Sequence, residues 1–316
     1  MSTLDPVVLF FILGAIAGIS KSDLKIPESF YNILSIYLLL SIGIKGGIEL
    51  YKSELSHVIL PAALTLFLGI GITWLAYFIL KKLLKFNLDN AVAIAAHYGS
   101  VSAVTFAVVN SYLKDLNIPF EGYMTVLLVL LEVPAIAVAI YIFRSKVNTG
   151  KLEFGKLMHE IFLGKSMLLL IGGLLIGIFT AYSENKQLNS FFFDLFKGFL
   201  AIFMLEMGIV ASKRFGDLKK VGLPLIAFGI CMPLISSLIG IVTGYAAGLS
   251  IGGTTILATM AASASYIAAP AAMKMAVPNA NATYYLTAAL GITFPFNIII
   301  GITIYYKLTE YLYSII

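Results

Sequence analysis

Apolar residues in this chain come in long blocks separated by short polar stretches, without the strict alternation of a half-buried strand. Ten blocks can be drawn, at roughly 5–20, 29–47, 56–81, 89–112, 120–143, 161–182, 192–211, 221–248, 252–277 and 282–307. Most have the roughly 18–25 residues that a helix needs to cross ~30 Å of hydrocarbon. Lipid offers no partners to backbone N–H and C=O groups, so each block is predicted to be helical. The alternation of barrel strands is absent. The expected fold class is therefore an all-α integral membrane protein with ten transmembrane helices.

The longest polar stretch, Arg144 to Glu160, falls between the fifth and sixth blocks. As a connector, it divides the chain into a five-helix repeat at 1–144, a linker at 145–160 and a second five-helix repeat at 161–316. The halves match in order. Leu13-Gly14-Ala15-Ile16-Ala17-Gly18 in block one is similar to Gly172-Gly173-Leu174-Leu175-Ile176-Gly177 in block six. Ser41-Ile42-Gly43 parallels Glu206-Met207-Gly208, Pro61 parallels Pro224, and Pro134 parallels Pro295. Gly99-Ser100-Val101-Ser102 parallels Ser263-Ala264-Ser265. Because each half has an odd number of spans, the second must enter from the opposite side, giving a 5+5 inverted repeat.

Composition agrees with a lipid-facing surface. Hydrophobic residues make up 60% and charged residues 12%, against about a quarter charged in soluble domains. Of the 21 Lys and Arg residues, 15 lie in loops that follow odd-numbered spans. The positive-inside rule then puts the connector in the cytoplasm and both termini outside the cytoplasmic membrane of a bacterial cell. The net charge of +5 reflects these loops and implies no nucleic-acid partner. The first block, Pro6–Ile19, lacks a basic start and an obvious cleavage site and reads as the first span. Cys231, the single cysteine, is expected to be a small buried hydrophobe. There is no nucleotide loop, metal-binding helix motif or nucleophile elbow, so no enzyme activity and no cofactor are expected.

The candidate chemistry lies where polar residues interrupt spans. Gly99, Ser100, Ser102 and Thr105 interrupt block four, and Ser263, Ser265, Tyr266 and Pro270 interrupt block nine. A broken membrane helix is tolerated where protein or a water-filled cavity satisfies the freed backbone. Second half-helices would point positive N-terminal ends at a small anion, and the carbonyl ends of first halves would suit a cation such as Na+. Small residues also allow close helix packing. Glu132 lies two residues before Pro134, which frees the carbonyl of Leu130, a plausible cation site. Thr293 and Asn297 flank Pro295 and are further cation candidates, with helix–helix hydrogen bonding as the alternative. Glu206 is a second mid-span acid, and His97 lies beside the first break, where a packing role competes with titration.

Tyr98-Gly99-Ser100-Val101-Ser102-Ala103-Val104-Thr105 resembles the broken-helix segment of SbtA-type sodium-dependent bicarbonate transporters. Ala261-Ala262-Ser263-Ala264-Ser265-Tyr266-Ile267-Ala268-Ala269-Pro270 resembles the second broken segment of that family, and Val277-Pro278-Asn279-Ala280-Asn281-Ala282-Thr283-Tyr284 its continuation. Glu132-Val133-Pro134 is similar to an Asp-Ile-Pro of the fifth helix. The resemblance implies Na+-driven uptake of bicarbonate, with both ions between the broken helices, in a frequently trimeric protein. By position, Gly99, Ser102, Thr105, Ser263 and Ser265 match family site residues. Tyr266 stands where cyanobacterial members have aspartate, and Ala268 where they have serine. Those members have a longer central loop and can be regulated by a PII-like protein, a partner the short connector here does not carry over. The expectation is a Na+-coupled symporter of bicarbonate. A small-carboxylate symporter and a cation/proton antiporter using Glu132 and Glu206 are the alternatives.

Overall fold

The structure is a computed structural model and describes residues 5–147, 155, 159, 162–181 and 189–315. Each of the ten apolar blocks contains helix, and among the described residues there is no strand. The elements are α1 (Pro6–Ile19), α2 (Glu28–Lys52), α3 (Leu55–Phe78, extended by a wide π turn at Ile79–Leu83), α4 (Leu88–Gly99), α5 (Ala103–Asp115) and α6 (Met124–Lys146). They continue as α7 (Lys165–Thr180), α8 (Phe196–Phe215), α9 (Leu218–Ala246), α10 (Ile251–Ala261), α11 (Ala268–Ala276) and α12 (Ala282–Ile315). Most of the predicted connector lies outside the described residues.

Among the described residues, six helical stretches are long and apolar enough to cross a membrane. They are α2, α3 with its π turn, Leu88–Asp115, α6, α9 and α12. The helix α8 has 20 residues but carries Lys197, Glu206, Lys213 and Arg214. The helices α1, α7 and α10 are apolar but shorter. In Leu88–Asp115, 94% of the apolar window is buried, against 39–67% in the other five. The interrupted helix is therefore sheltered by protein, as a break in lipid requires.

The helices sort into two groups. In one, α1 packs along α8 and α2 along α7. Small residues four apart set both crossings. A Cβ on Gly14 would meet the Leu205 carbonyl oxygen at 1.9 Å, and one on Gly208 the Phe11 carbonyl at 2.1 Å. In the other pair, a Cβ on Gly47 would meet the Leu174 carbonyl at 2.0 Å, and one on Gly177 the Ile44 carbonyl at 2.1 Å. Backbones this close gain van der Waals contact that lipid cannot replace. In the second group α3 packs on α4 and α6, and α9 packs on α10 and α12.

Local sequence explains the starts and bends. Asp5 caps α1 by accepting from the Val7 N–H at 2.8 Å, with Pro6 at the first helical position. Asn87 and Ser250 cap α4 and α10 in the same way. Gly222, at φ 78°, turns the chain at the start of α9 in a conformation that suits glycine. Asp217 just before it bonds Lys220 at 2.7 Å, and that bond holds its carboxyl below its usual value. α6 runs through Pro134, whereas Pro295 in α12 is flanked by π turns at Thr287–Thr293 and Asn297–Gly301. Two expectations are corrected. Cys231 is exposed, on the outward face of α9. Pro270 lies in the first turn of α11, where its missing N–H is one of the orphan donors anyway, so it begins the second half-helix and does not break the first.

The glycine crossings give a local prediction. Gly177→Ala is expected to lower the unfolding temperature in detergent, the overpacking costing about 1–3 kcal/mol. Gly172→Ala on the same helix, where a Cβ meets nothing within 4 Å, is expected to leave it unchanged. Equal effects in thermal denaturation would remove the close approach as the cause.

Candidate functional site

The two interrupted helices cross at their breaks and complete each other's hydrogen bonding. α4 ends at Gly99, and the chain runs extended through Ser100 and Ser102 before α5 begins. α10 ends at Ala261, and the chain is irregular until Ala268. The Ser102 N–H donates to Ser263 Oγ at 3.0 Å, and the Ser265 N–H donates to the His97 carbonyl at 2.8 Å. Each break thus satisfies part of the other's backbone. The serine side chains then start the second halves: Ser102 Oγ accepts from the Thr105 N–H at 3.1 Å, and Ser265 Oγ from the Ala269 N–H at 3.2 Å. Ser263 Oγ donates to the Met260 carbonyl at 2.8 Å.

Around this crossing several polar groups are buried with no hydrogen-bond partner: Ser100 Oγ, His97 Nε2 and the Tyr266 hydroxyl. The Tyr266 hydroxyl points toward Ser102 but falls short of bonding geometry. An unmet buried polar group costs about 1–3 kcal/mol, so a cluster of them is a place for an ion or water. The first-turn N–H groups of α5 and α11 add donors that no helix carbonyl can satisfy. Neither break contains a lysine or arginine. Gly99 allows the approach of α3: a Cβ there would meet Thr73 Oγ1 at 1.8 Å.

The remaining candidates are spread around the crossing. His97 Nδ1 lies 2.6 Å from the Ala93 carbonyl, which makes it the protonated nitrogen, and the ring stacks on Tyr285 at 4.5 Å. Thr293 Oγ1 donates to the Gly229 carbonyl at 2.7 Å and meets the Tyr98 hydroxyl at 2.6 Å. Asn297 donates to the Ala262 carbonyl at 2.8 Å, at the end of α10, and accepts from the Tyr305 hydroxyl at 2.6 Å. Both residues therefore tie α12 to the broken helices with their polar atoms already engaged. Glu132 is 4% exposed and lines a cavity of about 240 Å³ with Lys165, Ser166, Ile267 and Ala268. It has no hydrogen-bond or ion-pair partner among the described residues. Leu130 is half-buried two residues earlier on α6. Glu206 is buried in α8 with one carboxylate oxygen unpartnered, and it lines neither that cavity nor the larger one described below.

Tyr98 and Gly229 were not singled out from the sequence. The signal for Gly229 was Pro233 four residues later, which has no N–H to give the Gly229 carbonyl, so Thr293 supplies the donor. Residues 6–310 match the Na+-dependent bicarbonate transporter superfamily. The chain belongs to this superfamily. Among curated proteins, none matches the chain. Membership in the bicarbonate transporter superfamily agrees with the apolar helices of a multi-pass membrane protein. It implies Na+ and bicarbonate as transported substrates.

Thr293→Val leaves the Gly229 carbonyl and the Tyr98 hydroxyl without partners and is expected to cost about 1–3 kcal/mol. In a Pro233→Ala background, which restores a backbone donor to Gly229, the same substitution is expected to cost less. A double-mutant cycle in denaturant measures this, and strict additivity would show that the carbonyl is not the shared partner.

Proposed function

We propose that this protein is a Na+-coupled symporter that takes up bicarbonate, with both ions bound where the two helix breaks cross. The observation that carries the reading is the reciprocal bonding of the breaks around buried polar groups left unpartnered, the first break lying in the most buried of the six long apolar stretches among the described residues. The anion is held by first-turn N–H groups of α5 and α11 and by hydroxyls drawn from Ser100, Ser102, Thr105, Ser263, Ser265 and Tyr266. Two half-helix ends contribute only partial charges of about +0.5 each. With no basic side chain in either break, a bare anion binds weakly, so an adjacent Na+ is needed to neutralise it. The Na+ takes carbonyl oxygens at the ends of α4 and α10 together with Glu132 from α6. Each ion then tightens the other by the same factor.

The architecture behind the reading is ten crossings in a 5+5 inverted repeat. Pro61 and Pro224, Asn87 and Ser250, Ser100 and Ser263, and Ser102 and Ser265 are paired at one constant spacing along the chain. The contacts repeat as well. α1 meets α8 as α7 meets α2. The Asn281 N–H donates to Asn90 at the start of α4, and the Ser250 N–H donates to Glu121 at the start of α10. Such two-fold exchange is expected of inverted repeats. The basic-loop asymmetry then puts the N- and C-terminal ends outside a bacterial cytoplasmic membrane. A homotrimer is the assembly the family resemblance implies.

In proteoliposomes, labelled bicarbonate uptake is expected to require an inward Na+ gradient and to vanish when K+ replaces Na+. No Na+-dependent bicarbonate uptake, with Na+ flux driven by a proton gradient in its place, would replace this reading with the cation/proton antiport alternative using Glu132 and Glu206. Glu132→Gln is expected to raise the Na+ concentration for half-maximal uptake by about tenfold or more, the loss of a charged ligand. Unchanged Na+ dependence makes Glu132 structural. Reporter fusions at Ile316 and after Lys146 are expected on opposite sides, and a cytoplasmic C-terminus would overturn the orientation.

A further inference from the structure

A cavity of about 260 Å³ lies between the two helix groups, with walls from α2, α5 from Phe106 onward, the start of α6 and residues 192–200. Its charge is unbalanced. Lys197 bonds Asp115 at 2.6 Å and lies 3.9 Å from Asp5, and Glu49 bonds Lys52 at 3.4 Å, so those charges are matched. Lys45 on α2 and Lys114 on α5 line the same cavity as close neighbours, and neither has an acidic partner among the described residues. Two ammonium groups facing one cavity without an anion repel each other. In the same wall the Ser111 hydroxyl, in a residue 7% exposed, and Asn110 Oδ1 are buried with no partner. The rest of the lining is apolar and aromatic, including Ile42, Phe106, Phe120, Phe192 and Phe196. A three-oxygen inorganic anion would leave these rings wetted, because a single water needs only about 10–15 Å³ of such space.

The geometry points to a second anion site in this cavity, one that takes a small monocarboxylate with an apolar body. The carboxylate lies between the Lys45 and Lys114 ammonium groups and accepts from the Ser111 hydroxyl. The hydrocarbon or ring displaces water from the phenylalanine wall. Because Lys45 belongs to the α2–α7 pair and Lys114 to the second half of a broken helix, an occupant bridges the two helix groups. The site stands apart from the reading of the breaks: none of Ser100, Ser102, Ser263 and Ser265 lines the cavity.

The test is titration calorimetry on the purified full-length protein in neutral detergent, with benzoate as probe, benzamide as its uncharged counterpart and formate as a carboxylate without the ring. Lys45→Met and Lys114→Met remove the charge and keep the aliphatic stem, which preserves packing. Benzoate is expected to bind saturably, and more tightly than formate or benzamide. Either lysine variant is expected to weaken it by about tenfold or more. Ser263→Ala, which alters the breaks, is expected to leave benzoate binding unchanged. The proposal is overturned by an absence of saturable benzoate binding, by benzamide binding as well as benzoate, or by binding that survives both lysine variants. Loss of binding in Ser263→Ala but not in the lysine variants would assign benzoate to the breaks. Stabilisation by anionic phospholipid with none by benzoate would assign the lysines to lipid headgroups and also overturn the proposal.

Discussion

The absence of water in the hydrocarbon governs this structure. A peptide group that leaves a helix inside a bilayer finds no solvent to bond, and each unmet group costs several kcal/mol. Two helices are nonetheless interrupted here, and they survive because each supplies what the other lacks. The Ser102 N–H goes to Ser263, the Ser265 N–H goes to the His97 carbonyl, and Asn297 from α12 covers the Ala262 carbonyl. The same economy appears one layer out, where Thr293 serves the carbonyl that Pro233 orphaned. Of the groups still unmet after this mutual satisfaction, Ser100 Oγ, His97 Nε2 and the Tyr266 hydroxyl lie around the crossing.

The constraint also explains the distribution of charge. The breaks contain small hydroxylic residues and no basic side chain. A lysine or arginine there would bind an anion tightly without help and would need its own partner when the anion left. In the proposed symporter, dipoles and hydroxyls would keep the binding weak enough to be reversible and open to coupling with a cation. The lysines sit farther out: Lys45, Lys114 and Lys197 line a cavity together with Phe106, Phe120, Phe192 and Phe196.

Much of the fold was legible because lipid makes sequence patterns blunt. All ten apolar blocks contain helix, and both interruptions fall where Gly99–Ser102 and Ser263–Ser265 break the apolar run. Ser102 and Ser265, paired in the sequence, each accept from a first-turn N–H of the helix that follows. What the sequence concealed was partnership. Nothing along the chain says that Thr293 bonds Tyr98 and Gly229, or that Lys45 and Lys114 share a cavity, since those contacts join residues far apart. Pro270 misled because a proline can end one helix or begin the next, and only the break's true position at 262–267 decides which. Cys231 misled because in a membrane protein an apolar block has a face turned outward, where burial is not needed.

The glycine crossings have a consequence for biogenesis. α1 finds its closest partner in α8, and α2 in α7, so these four helices find their main packing complements only in the opposite half of the chain. During synthesis at roughly 5–20 residues per second, α1 leaves the ribosome roughly ten to forty seconds before α8 is complete. Through that interval the Gly14 and Gly43 faces, shaped to take a backbone, have only lipid against them. The nascent first half is thus an open clasp that closes when the second half arrives, and the smallest unit able to assemble is nearly the whole polypeptide.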